Sequence, residues 1–139
     1  MGFPMAVNLH KAGFEVIGYD AFKGAYTKAE AAGIRMVETL KEVAEQADEA
    51  IISMVRDHAQ NVDLIFGENG LLTTNPKGKS IIVMSTLDPE TMNELGKKVE
   101  EESDLRLISA AVSGGASGAQ VLIARLFGHE FHDYFDLMP

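Results

Sequence analysis

The chain contains no cysteine. Disulfides, thiolate nucleophiles and thiolate metal centres are therefore excluded, and the composition accords with a reducing, cytoplasmic setting. Basic residues are scarce. Twelve Lys and Arg stand against 21 Asp and Glu, giving a net charge of −9. Without a basic patch, binding to a nucleic-acid backbone is not expected. Long apolar runs are also missing. No stretch approaches the ~20 residues needed to span a bilayer, and no charged n-region precedes an apolar h-region, so no membrane partner is expected. A metal motif is lacking as well. His129-Glu130-Phe131-His132 falls one residue short of H-E-x-x-H, so its histidines do not stack one helical turn apart on a zinc ion.

What remains is an ordinary globular composition, 46% hydrophobic and 24% charged over 139 residues. That is one domain with a real core. The acidic residues are spread over helix faces, among them Glu38, Glu42, Glu45 and Glu100 to Glu102, and read as solvated surface.

Taken in order, helices and strands alternate. Gly2, Pro4 and the apolar Met5, Ala6 and Leu9 open a helix, with Pro tolerated in the first turn. Gly13 stops it. Phe14 to Tyr19 reads as a buried strand that ends on Asp20. Lys23 to Ala32 is a helix closed by Gly33, and Ile34 to Val37 a short strand. Thr39 and Glu42 form a capping box. Ala50 to Val55 is a continuous apolar run, as expected for a strand buried on both faces. Asp57 caps the next helix. Asn75 to Gly78 is a turn, and Ser80 to Met84 a second buried strand. Asp88-Pro89-Glu90 starts a long helix whose inner face is Met92, Leu95 and Val99. Leu105 to Ile108 is the last clear strand. This alternation predicts an α/β fold with a doubly wound parallel sheet.

A glycine at a helix start and a carboxylate at the end of the next strand match the second half of a dinucleotide-binding βαβ unit. The helix N-terminus offers N–H groups to a pyrophosphate, and the carboxylate accepts from a ribose 2′-OH. The same residues also make a plain helix–strand pair. The preceding strand and the earlier glycines of G-x-G-x-x-G would lie before Met1. The expectation is thus a Rossmann-like sheet lacking its first strand, with open edges available for self-association.

Three further stretches carry a resemblance. They are Ile52-Ser53-Met54-Val55-Arg56-Asp57, Met84-Ser85-Thr86-Leu87-Asp88-Pro89-Glu90-Thr91, and Val112-Ser113-Gly114-Gly115-Ala116-Ser117-Gly118-Ala119. With Met1-Gly2-Phe3-Pro4-Met5-Ala6 in front, the series resembles the NAD(P)-binding domain of the β-hydroxyacid dehydrogenases, roughly over residues 1–120. The resemblance implies an oxidoreductase domain acting on the hydroxyl of a small 3-hydroxy acid. Gly2 would be the third fingerprint glycine. Asp20 would bind the adenosine ribose and favour NAD over NADP, because a 2′-phosphate beside a carboxylate is repelled. Val55 and Arg56 would lie over the cofactor, although the family commonly has Leu-Pro at these two positions. Thr86 would meet the nicotinamide ribose. Ser113, Gly114 and Gly115 would hold the carboxylate of the substrate with a hydroxyl and backbone N–H groups.

Other departures bear on activity. The family's Asp-x-Pro before V-S-G-G is replaced by Ser109-Ala110-Ala111. Residues 121–139 do not follow the family pattern and read as a divergent tail beyond the partial dinucleotide-binding domain of residues 1–120. The family's catalytic lysine lies well downstream of S-G-G, whereas every lysine here lies upstream. No catalytic residue is therefore assigned, and this chain alone is expected to be inactive on hydroxy acids. The competing expectation is a non-catalytic Rossmann-like remnant or interaction module.

Overall fold

Short parallel ladders alternate with helices, in the order α1 (Gly2–Lys11), β1 (Ile17–Gly18), α2 (Tyr26–Ala31), β2 (Arg35–Met36), α3 (Leu40–Gln46), β3 (Ala50–Ser53), α4 (His58–Phe66), β4 (Ser80–Val83), α5 (Pro89–Glu102) and β5 (Arg106–Ser109). The computed structural model describes residues 1–112 together with Gly115, Gly118 and Ala119. Two compact units divide the chain, one containing Met1–Met36 and the other Val37–Val112.

In the first unit, β1 pairs with β2 in parallel, Ile17 opposite Arg35 and Gly18 opposite Met36. A Cβ on Gly18 would stand 2.8 Å from Met36 Sδ, so the glycine is what lets the methionine pack across the ladder. Two helices here end in the same way. Beyond α1, Gly13 adopts φ +97. Its N–H donates to His10 O, and Phe14 N–H donates to Leu9 O. Beyond α2, Gly33 adopts φ +86, Gly33 N–H donates to Glu30 O and Ile34 N–H to Ala29 O. Each is a Schellman motif, with a left-handed glycine satisfying carbonyls the helix leaves free. The residue after the second glycine, Ile34, is buried, which anchors the entry to β2. Asn8 Nδ2 donates to Ala119 O at 2.9 Å, tying α1 to a distant part of the chain.

Two expectations for this unit need correction. The strand expected over residues 14–19 forms a ladder only at Ile17–Gly18, with Phe14 and Tyr19 exposed at its flanks. The ladder is only as long as its partner, and β2 spans two residues. The helix expected over residues 23–32 opens as a 3₁₀ turn at Lys23–Ala25 and becomes α-helical only at Tyr26.

In the second unit β3, β4 and β5 form one parallel sheet in that order. The register runs Ile51 to Ile81 to Leu107. The middle strand has Ile81, Ile82 and Val83 buried, the continuous apolar run of a parallel strand covered on both faces. β3 departs from the expectation. Ala50 is exposed and Ile52 half-buried, because β3 lies at one edge of this sheet. Helix α5 buries Met92, Leu95 and Val99, spaced as one helical face. They pack into a core with Ile65, Leu71 and Leu105, all nearly inaccessible to solvent.

The helix starts follow their sequence signals. Thr39 and Glu42 close a reciprocal capping box. Asp57 Oδ1 accepts from Gln60 N–H at 2.9 Å. Asp88 Oδ1 accepts from Thr91 N–H at 2.9 Å, and its other carboxylate oxygen accepts from the Thr91 hydroxyl. The Thr91 hydroxyl first, then the backbone N–H of Thr91, hold the Asp88 carboxyl below its ordinary value of 3.8.

A depressed carboxylate pKa stabilises the fold above the unfolded-state value, and the contribution is lost as pH falls through the folded value. An Asp88→Ala variant should melt a few degrees below the parent at pH 7. The gap should close as pH is lowered below about 4. Calorimetry that finds the same gap at pH 7 and at strongly acidic pH would remove the charge from the cap.

Candidate functional site

In open α/β sheets, ligands sit beyond the carboxyl ends of the strands. In the second unit those ends are Ser53-Met54-Val55-Arg56 after β3 and Met84-Ser85-Thr86 after β4. They are joined from below by a buried polar chain. Ser53 Oγ donates to Asn61 Oδ1 at 2.7 Å. Asn61 Nδ2 donates to Ser85 Oγ at 3.1 Å and to Asp57 O at 2.8 Å. Ser85 Oγ donates in turn to the Val55 carbonyl at 2.7 Å.

Asn61 is fully buried, and Ser53 and Ser85 almost so. Such groups are tolerated in a core only when their partners are present. Here they are. Among the described residues, no buried side-chain nitrogen or oxygen lacks a hydrogen-bond partner. The chain fixes three things at once: the end of β3, the first turn of α4 and the loop after β4. It holds the Val55 carbonyl and leaves Thr86, the next residue after Ser85, exposed.

Arg56 is fixed by its backbone rather than by its side chain. Its N–H donates to Gln60 Oε1 at 2.9 Å, while Gln60 N–H donates to Asp57. A proline at this position has no N–H to give. The departure from Leu-Pro to Val55-Arg56 therefore comes with a partner, Gln60, for the donor it adds. The guanidinium side remains exposed.

The first unit holds the other two candidates. Gly2 begins α1. Asp20 is exposed just beyond β1, and its Oδ1 accepts from Phe22 N–H at 2.8 Å. A carboxylate has about four acceptor sites, so this turn orients Asp20 and leaves it capacity for further donors. Gly115 has φ +65, in the left-handed region where a side chain would be strained. Ser113 and Gly114 lie outside the described residues, as do residues 121–139. The structure thus brings Val55, Arg56 and Thr86 together within one unit and places Gly2 and Asp20 in the other.

Sequence reasoning missed Ser53, Asn61 and Ser85 as a group. Ser85 lies 24 residues beyond Asn61, and a serine in an apolar run carries no signal of its partner. The nearest hint was two polar residues, Ser53 and Ser85, at the ends of strands otherwise built for burial.

No group of three or more His, Asp or Glu side chains suited to a metal ion occurs among the described residues. Nor is any helix among them long and apolar enough to cross a membrane.

Replacing Asn61 by Ala deletes the hub: the Ser53 hydroxyl loses its acceptor, and Ser85 keeps only its bond to the Val55 carbonyl. An unsatisfied buried polar group costs about 1–3 kcal/mol. Urea unfolding of Asn61→Ala should register a loss in that range. Unfolding midpoints equal to the parent's would show that the chain does not hold the strand ends.

Comparison with known proteins agrees with this geometry. Residues 1–126 match the family model described as the NAD binding domain of 6-phosphogluconate dehydrogenase. The mitochondrial 3-hydroxyisobutyrate dehydrogenase of Homo sapiens is 39% identical over 120 residues, covering 86% of this chain and 35% of that protein. The 2-hydroxy-3-oxopropionate reductase of Escherichia coli is 35% identical over 120 residues, 86% of this chain and 40% of that protein. Among solved structures, the 3-hydroxyisobutyrate dehydrogenase of Mycobacterium tuberculosis superposes with a TM-score of 0.76 at 28% identity, covering 86% of this chain and 40% of that one. The chain spans 35% to 40% of the length of these two curated relatives. Helix caps, parallel ladders and fixed strand ends thus sit in a chain that belongs to the β-hydroxyacid dehydrogenase family, as its Rossmann-like NAD-binding domain.

Proposed function

We propose that this chain binds NAD as the cofactor domain of an oxidoreductase acting on the hydroxyl of a small 3-hydroxy acid. The observation that carries the reading is Asp20. It is an exposed carboxylate at the end of β1, oriented by the Phe22 N–H and with acceptor sites to spare for the two hydroxyls of an adenosine ribose. A 2′-phosphate would meet that carboxylate as a like charge, which supports NAD over NADP. The start of α1 at Gly2 supplies free N–H groups to the pyrophosphate. Val55 and Arg56 lie over the dinucleotide, Thr86 takes the nicotinamide ribose, and Ser113, Gly114 and Gly115 hold the substrate carboxylate.

When bound, the nicotinamide accepts or donates a hydride, and the protein's task is orientation. The residues of this chain supply that orientation. The buried Ser53–Asn61–Ser85 chain keeps the Val55 carbonyl and the Thr86 loop from shifting. A cytoplasmic setting fits the cysteine-free composition.

Melting curves test the reading. A ligand at ~100 times its Kd stabilises the native state by ~2.7 kcal/mol. Millimolar NAD should therefore raise the melting temperature of the parent, and NADP should raise it less. In Asp20→Arg the order should reverse. Equal responses to both nucleotides in both proteins would show that Asp20 does not meet the ribose.

A further inference from the structure

Helix α1 has more apolar surface than its packing uses. Met5 and Leu9 are its buried face. A second stripe, Phe3, Pro4 and Val7, is only half-buried. With Asn8, Lys11 and Ala32 it lines a groove of about 410 Å³ along the helix. A helix that faces water on such a side carries polar residues there. Two lysines mark the ends of this groove. Lys11 lines one end. Lys28 stands at the other, its Nζ 4.5 Å from the centre of the Phe3 ring. Phe3 and Lys11 are ~12 Å apart along the helix axis.

One wall of the groove also anchors the later chain. Asn8 Nδ2 donates to the Ala119 carbonyl at 2.9 Å, and Ala119 is buried. The chain beyond Ala119 therefore departs from the groove itself. Eight residues on stands Phe127, just past residues 1–126 that match the family. From there the sequence has a pattern of its own. Phe127, Phe131, Tyr134, Phe135 and Met138 recur at the spacing of one apolar helical stripe. Glu130, Asp133 and Asp136 follow at three-residue steps, which puts them to one side of that stripe. An acidic amphipathic segment thus follows closely on an anchor beside an apolar groove with a lysine at each end.

We propose that residues 127–138 of this chain dock on α1 as an amphipathic helix, the aromatic stripe in the groove of Phe3, Pro4 and Val7 and the acids toward Lys11 and Lys28. The tether is long enough. Eight residues reach up to ~26 Å when extended, and the whole of α1 is ~15 Å long. Removing apolar surface from water on both partners drives the docking. Exposed ion pairs add little to it, so the lysines set the direction in which the segment lies. Because the segment is tethered at Asn8, its effective concentration at the groove is high and weak contacts suffice. The inference does not rest on the NAD-binding reading, since it uses the side of α1 and not the N–H groups at its start.

The chain has no cysteine, so His132→Cys, off the apolar stripe, takes a single nitroxide. In amide NMR of that labelled chain, Phe3, Val7, Lys11 and Ala32 should be strongly broadened. In a mixture of isotope-enriched chain without nitroxide and labelled chain without isotope, the same amides should stay sharp, because the docking is within one chain. Phe131→Ser combined with Phe135→Ser should abolish the broadening and leave the amides of the α5 core face where they were. Lys11→Glu combined with Lys28→Glu should weaken it, as should added salt in the parent. Broadening that is absent from α1, or that persists in the double phenylalanine variant, would overturn the proposal. Broadening in the mixture alone would give the groove to a second copy and overturn it as well.

Discussion

Ser53, Asn61 and Ser85 form a run of hydrogen bonds on which the rest of the second unit depends. Parallel strands end by presenting backbone groups to whatever lies beyond the sheet. Those groups must be satisfied, and the loops that follow must stay in place if a ligand is to be held. Apolar packing alone can do neither. Here the Ser53 hydroxyl donates to Asn61, the Asn61 amide to Ser85, and the Ser85 hydroxyl to the Val55 carbonyl. Successive bonds polarise one another in a low-dielectric interior. Because each member is buried, losing Asn61 leaves the Ser53 hydroxyl with an unmet desolvation cost, and losing Ser85 leaves the Val55 carbonyl without this donor. The result is a rigid floor under the loops carrying Val55, Arg56 and Thr86.

The first unit meets a comparable demand with backbone devices. Gly13 and Gly33 close α1 and α2 with matched Schellman motifs, and Gly18 gives way to Met36. Asp20 then positions a carboxylate at the surface. In both units the residues at the strand ends are held by hydrogen bonds that their neighbours complete.

The parts of the fold legible in the sequence are those whose physics is local. Asp57, Asp88 and Thr39 act on an N–H three residues ahead, and Gly13 and Gly33 act on the turn they follow. The stripe of Met92, Leu95 and Val99 is written in helical spacing. The family motif after β4 resolves into two functions for the same reason. Asp88 to Thr91 form a helix cap, whereas Ser85 belongs to the buried chain. What could not be read is non-local. Asn61 looks like any polar helix residue until β4 brings Ser85 beside it. The length of β1 is set by β2, and the half-exposure of Ile52 by the place of β3 at the sheet edge.

Whether these strand ends receive a dinucleotide decides the function proposed for this chain. Two-dimensional amide NMR during titration with NAD tests this most directly. Saturable shifts should concentrate at residues 18–24, at Val55 and Arg56, and at residues 85–87, while the amides of the α5 core face stay still. Spectra unchanged at millimolar NAD, or shifts confined to other surfaces, would contradict it.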